Sequence, residues 1–279
     1  MLTLIKHLVK RQFPRFFLRL RVRKLLAHRV DPDMYLLANL KKYLSGSHET
    51  KRFVSYISGN NSAIDVGACG GEYSYIMAGY FQRVLSVEPT SEMTKKLRVS
   101  LPSNCEVIQC ALGKVCGEVN LRIPQIANDK MHALATLANH DFDFSNIGTV
   151  DIVKVTQSTI DTLASERNLR PSFIKIDVEG YEGEVLFGSR ETIERCRPIL
   201  MVEIEKRHNK NFGEIFILLT TYGYTPFHVR SGKLERSGPH VVDESYDYLK
   251  GENVSGMAGV IASRASENYI NNFLFLPKD

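Results

Sequence analysis

No stretch of this chain approaches the roughly 18 consecutive apolar residues that a bilayer-spanning helix needs, so no such helix is expected. No C-x-x-C pair and no His-spaced cysteine pattern occurs. The five cysteines, Cys69, Cys105, Cys110, Cys116 and Cys196, are odd in number. A disulfide framework or zinc module is therefore not expected, and a reducing cytoplasm is. No acidic residue falls among positions 1–30, which carry nine bases: Lys6, Lys10, Arg11, Arg15, Arg19, Arg21, Arg23, Lys24 and Arg29. These bases interrupt every apolar stretch that could act as a secretion signal. There is no internal repeat and no low-complexity segment.

What is present is globular. With 43% hydrophobic residues over 279 positions, the chain can bury a full core as one large domain or two small ones. The formal charge of +5 is uneven. Outside the leader, 27 bases face 31 acids, so the body is mildly acidic and offers no broad nucleic-acid footprint. In the leader, Leu4, Ile5, Leu8, Phe16, Leu20 and Leu26 recur at near-helical spacing, and Pro14 kinks or restarts the helix. Two readings stand: a membrane-surface helix with its basic face on anionic lipid and its aromatic and aliphatic face in the lipid interface, or a cap helix packed on the body with its charges solvated. Residues 32–58 read as helices covering the first strand. Residues 1–58 thus form a basic helical extension and cap, and 59–279 the main body.

In that body strand-like runs near 61–66, 83–88, 105–110, 172–178, 198–204, 222–229 and 270–276 alternate with helical segments. The helices are expected near 71–80, 91–101, 158–168, 181–196 and 210–221. The alternation predicts a doubly wound, mostly parallel α/β sheet. Residues 115–155 break the rhythm with a hairpin, 118–123 and 150–155, joined by a long polar loop at 128–147. A loop of that length is more often functional than idle.

Three constellations carry chemistry. The first is Ile64-Asp65-Val66-Gly67-Ala68-Cys69-Gly70-Gly71-Glu72-Tyr73-Ser74. It has the strand–turn–helix order of a nucleotide-binding unit, but Cys69 stands at the second glycine of G-x-G-x-x-G. The turn holds Asp65 and Glu72 and no base. A pyrophosphate would be poorly served there, whereas a cationic sulfonium and ammonium would be tolerated; S-adenosylmethionine carries both and no phosphate. Gly67 would let backbone approach the ligand, and Asp65 would accept from its ammonium. The plainer reading is a tight capped turn.

Glu88, 23 residues after Asp65, is placed to accept from ribose hydroxyls. Its plainer reading is a strand-end residue facing water before Pro89. Cys110, Ala111, Leu112 and Gly113 would lie beside the adenine. The third constellation is Phe173-Ile174-Lys175-Ile176-Asp177-Val178-Glu179-Gly180-Tyr181-Glu182, in which Lys175, Asp177 and Glu179 alternate and so share one strand face. A central parallel strand should be apolar, so charges at its carboxyl end mark a site. The alternative is a structural Lys175–Asp177 ion pair. Glu203 and Glu205 repeat the pattern on the next strand. Asp177 and Glu203 could hold a divalent cation, but two carboxylates are a weak donor set and a metal-free site is expected. His132, His140 and His208 are the histidines placed to reach this end of the sheet.

At these residues the sequence resembles the FkbM-type methyltransferase family. The resemblance rests on Asp65-Val66-Gly67-Ala68 with Gly71 and Tyr73-Ser74, on Val87-Glu88-Pro89, and on Ala111-Leu112-Gly113. It continues through Thr159-Ile160-Asp161-Thr162-Leu163, Ile174–Gly180 with Glu182, and Asn272-Phe273-Leu274-Phe275-Leu276-Pro277. It covers about residues 60–277. Where the family usually has Asn, this chain has Cys69, whose thiol donates weakly.

The resemblance implies a class I methyltransferase fold with an antiparallel last strand inserted beside the penultimate one. It implies S-adenosylmethionine held by Asp65, Gly67, Cys69, Gly71, Tyr73, Glu88, Pro89, Cys110 and Ala111. It also implies methyl transfer to an oxygen, often a sugar hydroxyl of a glycan, glycolipid or natural product. Apart from the resemblance, an alcohol must lose its proton during attack, and Asp177 or a nearby histidine could take it, with Lys175 or Glu179 orienting Asp177; residues 124–149 would read the acceptor. The basic leader would suit a cytoplasmic protein peripheral to the inner face of a membrane. Two rivals remain. A nicotinamide oxidoreductase explains Glu88 but not the missing glycine or the charged strand, and a non-catalytic interaction module is encouraged only by Cys69.

Overall fold

Strands whose residues are all buried need cover on both faces, and here helices supply it. The computed structural model describes residues 14–28, 32–46, 61–126, 129–138, 149–231, 233–251 and 269–278. Three helices, α1 (Pro14–His28), α2 (Pro32–Ala38) and α3 (Leu40–Gly46), precede the sheet. Then follow β1 (Ser62–Val66), α4 (Glu72–Met77), β2 (Arg83–Val87), α5 (Ser91–Ser100) and β3 (Cys105–Ile108). The insertion contains β4 (Ala111–Leu112), β5 (Gly117–Ile126), β6 (Asp129–Lys130), a 3₁₀ turn at His132–Leu134 and β7 (Thr149–Ser158). After it come α6 (Ile160–Glu166), β8 (Pro171–Ile176), α7 (Glu182–Phe187), α8 (Arg190–Cys196) and β9 (Ile199–Glu203). The chain ends with α9 (Gly213–Thr221), β10 (Tyr224–Arg230), β11 (Lys233–Arg236), α10 (Pro239–Gly251) and β12 (Asn272–Pro277).

The main sheet runs β11-β10-β12-β9-β8-β1-β2-β3. β12 is antiparallel to both β9 and β10, β11 returns antiparallel on β10, and the other pairings are parallel. This is the class I methyltransferase fold, a mixed rather than strictly parallel sheet. A second sheet, β4-β7-β5-β6, is built on the expected hairpin, with β5 and β7 antiparallel from Gly117↔Gln157 to Gln125↔Thr149.

Neighbouring strand residues feed opposite cores. Ile64, Leu85, Ile174 and Leu200 pack with Phe216, Phe273 and Phe275 on one face. Ala63, Val84, Phe173 and Met201 pack on the other with Leu18, Val22, Met34, Leu37, Leu40 and Leu44. One side of the leader helix α1 is therefore part of the body's core. The Tyr80 hydroxyl donates to the Ala38 carbonyl and ties α2 to the segment after α4. Residues 47–60 and 139–148, the latter including His140, lie outside the described residues.

One expected helix, 181–196, is two. The break falls at Gly188, where a β-carbon would stand 2.0 Å from the Gly113 carbonyl oxygen. The break also frees the α8 amides to be capped from elsewhere: the Asp161 carboxylate accepts from Glu191 N at 3.1 Å and Thr192 N at 2.7 Å. β11 and α10 were not anticipated, because their polar, short-period stretches give no sustained apolar repeat. We expect Gly188→Ala to destabilise the protein by about 1–3 kcal/mol through overpacking, read as a lower urea midpoint. An unchanged midpoint would mean that the α7–α8 junction is loose.

Candidate active site

The carboxyl ends of β2, β1 and β8 lie side by side, and their connections build the site. Gly67 N and Ala68 N both donate to the Val87 carbonyl at 3.0 Å, and Asp177 N donates to the Val66 carbonyl at 3.1 Å. Gly67 has φ +82°, and a β-carbon there would stand 1.9 Å from the Asp177 carbonyl oxygen. The space beside Gly67 is thus filled by the tip of β8, a reason for glycine that the sequence alone did not suggest.

Cys69 has φ +42°, in the left-handed region, and its N–H donates to Glu88 Oε2 at 3.1 Å. Asn and Gly tolerate that conformation best, so Cys69 holds it at a cost. Burial pushes its thiol up to about 12, which keeps it protonated at neutral pH. Glu88 is 4% exposed. Its Oε1 accepts from Thr90 N at 2.9 Å and Thr90 Oγ1 at 2.6 Å. Burial raises its pKa while the Thr90 bonds oppose the rise. Oε2 retains a further lone pair beyond the Cys69 bond.

Asp65 is buried at the end of β1. Its Oδ2 accepts from the Ser74 hydroxyl at 2.6 Å, and Ser74 Oγ lies 2.7 Å from Ser86 Oγ. Oδ1 is buried and, among the described residues, makes no hydrogen bond. Burial lifts the Asp65 pKa to about 6, against the pull of the Lys175 charge.

Lys175, the second-last residue of β8, is fully buried. Its Nζ lies 2.8 Å from Asp177 Oδ2 and 4.1 Å from the Tyr73 ring centroid. Burial alone would lower its pKa, but the carboxylates of Asp177, Glu203 and Asp65 together hold it above the usual lysine value. Asp177 keeps 22% of its side chain open to solvent. Lys175 and Asp177 therefore come together as the face-sharing argument required. Glu179 does not join them. β8 ends at Ile176, Glu179 has φ +53° and Gly180 φ +97°, so strand alternation stops before Glu179.

Glu179 belongs to a neighbouring polar centre. His208 Nε2 lies 3.1 Å from Glu179 Oε2 and 3.0 Å from Glu205 Oε2. Arg207 also pairs with Glu205. Glu205 Oε1 accepts from Tyr269 at 2.5 Å and from Asn271 Nδ2 at 2.9 Å, while Asn271 also reaches Glu203 Oε1 at 2.8 Å. Despite burial, Arg207 and His208 hold Glu205 well below the ordinary carboxylate range. The cation position between Asp177 and Glu203 is taken by Lys175. Among the described residues, no group of three or more His, Cys, Asp or Glu is arranged to hold a metal ion.

The insertion is pinned on both sides of the mouth. His132 Nε2 lies 3.1 Å from Glu92 Oε2 beyond β2, and the Thr136 hydroxyl donates to the Glu179 carbonyl at 2.7 Å beyond β8. Pro89 is half-buried at the β2 tip. Cys110 is buried, and Ala111 pairs with Gln157 in the second sheet. Sequence reasoning missed Thr90, Thr136, Arg207, Tyr269 and Asn271. Only Thr90, two residues after Glu88, carried a local signal, the hydroxyl that can bond back to a nearby carboxylate.

The mouth fits a cationic, phosphate-free cofactor on this chain's own evidence. Its first turn carries Asp65 and Glu72 and no base of its own, Glu88 stands at the adjoining β2 tip, and among the described residues the buried Asp65 Oδ1 has no hydrogen-bond donor, although Glu72 already pairs with Arg21. The sequence pattern described as the methyltransferase FkbM domain matches residues 65–226. No curated protein sequence matches the chain. Among solved structures, a methyltransferase FkbM from Methylobacillus flagellatus aligns over 77% of this chain and 43% of its own, at 17% identity and a TM-score of 0.44. An rRNA methylase from Streptococcus thermophilus aligns over 83% and 95%, at 11% identity and a TM-score of 0.36. The precorrin-6y C5,15-methyltransferase of Geobacter metallireducens aligns over 67% and 77%, at 11% identity and a TM-score of 0.34. This chain thus spans less than half the length of the Methylobacillus protein.

Two outcomes follow from the geometry. Cys69→Asn should raise stability by roughly 0.5–1 kcal/mol, since Asn adopts the left-handed conformation at lower cost; a urea titration reads it, and a loss would show that the thiol's packing outweighs the backbone. The second concerns pH. Asp65 has a folded pKa near 6 against 3.8, so its protonated form is favoured in the fold. The stability it contributes is full below about pH 3.8 and is lost as pH rises through about 6. Relative to Asp65→Asn, the protein should lose stability between those values by at most about 1.4 kcal/mol per pH unit, then level off. A pH-independent difference would mean that Asp65 titrates normally.

Proposed function

This chain belongs to the methyltransferase FkbM family, and from that premise we propose that it moves a methyl group from S-adenosylmethionine to an acceptor hydroxyl, that of a saccharide in a glycan, glycolipid or natural product. The observation that carries the reading is the acidic turn at the end of β1, where Asp65 Oδ1 has no donor among the described residues and Glu88 stands at the adjoining strand tip. Asp65 would take the ammonium, directly or through water, and Glu88 Oε2 a ribose hydroxyl. Cys69 and Gly71 would contribute turn backbone, and Tyr73, Pro89, Cys110 and Ala111 the surrounding walls. When bound, the cofactor supplies an electrophilic methyl on a cationic sulfur.

The chain's own work is positioning and proton removal. Aligning two reactants can supply roughly 7–11 kcal/mol of the barrier, so rigid placement matters most. Lys175 is locked between Tyr73 and Asp177, and it fixes the Asp177 carboxylate at the open end of β8. Asp177 would accept the acceptor's proton as the oxygen attacks. Glu179 would act at one remove, through Thr136 and His208, by holding the turn that presents Asp177. Residues 115–155, anchored at Glu92 and Glu179, would form the acceptor side of a domain covering 59–279. Residues 1–58 would be its cap.

Calorimetric titration with S-adenosylhomocysteine should give micromolar binding. Glu88→Ala should weaken it at least tenfold, and NADH should not bind. No binding of S-adenosylhomocysteine would sink the proposal, and NADH binding would favour the oxidoreductase. With labelled S-adenosylmethionine and a panel of saccharide acceptors, Asp177→Asn should cut turnover by roughly 10²–10⁴-fold while leaving S-adenosylhomocysteine affinity within threefold. Unchanged turnover would remove Asp177 from the chemistry.

A further inference from the structure

α1 has two faces that differ in kind. Leu18 and Val22 are buried against the body, with Leu25 and Leu26 partly buried beside them. Arg15, Arg19, Arg23 and Lys24 are exposed, and among them Leu20 is 44% exposed. The helix carries no acid, and neither does any position from 1 to 30, so nothing on this segment neutralises the outward charges. Its remaining base, Arg21, is already used: its Nε lies 2.8 Å from Glu72 Oε1, at the first residue of α4.

We infer that the outward face of α1, with Arg19, Arg23 and Lys24 around Leu20 and Arg15 exposed at the helix's first turn, docks on an anionic phospholipid bilayer. The apolar face expected in lipid under the membrane reading is instead committed to the core through Leu18 and Val22, as the cap reading has it, while the outward bases have no ion-pair partner among the described residues. A bilayer suits this face better than a nucleic acid. An exposed leucine among bases gains by entering the lipid interface and gains nothing beside phosphates in water.

Docking would also orient the enzyme. α1 packs on α4 and α5, and Arg21 holds Glu72, so the helix runs beside the turn that follows β1. A bilayer under α1 would lie near the mouth between β2 and β8. This inference does not depend on methyl transfer, and its test does not read activity.

The test is co-sedimentation of the full chain with vesicles of equimolar phosphatidylglycerol and phosphatidylcholine, with pure phosphatidylcholine vesicles and a duplex DNA as controls. The chain should pellet with the anionic vesicles only and be released as salt rises from about 0.1 M to about 1 M. Each basic residue near an anionic surface is worth about 1 kcal/mol, so the combined variant R15Q/R19Q/R23Q/K24Q should partition at least a hundredfold more weakly. Leu20→Glu should weaken it at least tenfold with the four bases intact. These side chains face solvent, so circular dichroism should be unchanged. Vesicle binding of the fourfold variant within threefold of the parent chain would overturn the inference. So would failure of the parent chain to bind anionic vesicles, or tighter binding to the duplex than to the vesicles.

Discussion

One buried ammonium holds the carboxyl end of the sheet together. Lys175 sits one residue from the carboxyl end of β8, with the carboxylates of Asp65 on β1, Asp177 beyond β8 and Glu203 on β9 around it. Without it, carboxylates from three adjacent strands would converge in a region of low dielectric, where like charges repel strongly. Its own burial is tolerable only because those acids surround it and the Tyr73 ring lies against it. The site and the fold thus depend on the same residue. The charge that makes β8 look unlike a core strand is what allows its neighbours to carry acids.

A second constraint acts through the backbone. Gly67 is pressed against the Asp177 carbonyl, and Cys69 donates to Glu88. The turn after β1 is therefore clamped from both flanking strands. The carboxylate of Glu88, proposed to receive a ribose hydroxyl, also fastens the turn through Cys69 N and the start of α5 through Thr90. The insertion adds a third layer of restraint, joining the β2 side to the β8 side through His132 and Thr136. A cofactor and acceptor would meet an already rigid frame, which is what positioning catalysis requires.

Much of the fold was legible because buried parallel strands have an apolar signature bounded by glycine and acid, as in Ser62–Val66 and Ile199–Glu203. The order of the sheet, including β12 between β9 and β10, followed from the family resemblance. The split of 181–196 was not legible: Gly188 is required by the Gly113 carbonyl, a contact 75 residues away in the chain. Within the site, Lys175 and Asp177 were legible from alternation alone. Glu179 was not, because a left-handed residue ends the strand periodicity on which the argument relied. Arg207, Tyr269 and Asn271 carry no local pattern, and their meeting at Glu205 is purely a matter of tertiary placement.

The βαβ unit, the chemistry of the acidic turn and the presence of charge in a strand that should have none are legible from residue order alone. These are properties of residue type and spacing within one element or its neighbour. Which acids Lys175 balances, that Glu179 turns to His208, and that one face of the leader helix is committed to the core while the other meets none of the described residues emerge only in the folded protein. Those outcomes depend on distances between segments far apart in the chain, and no local periodicity encodes them.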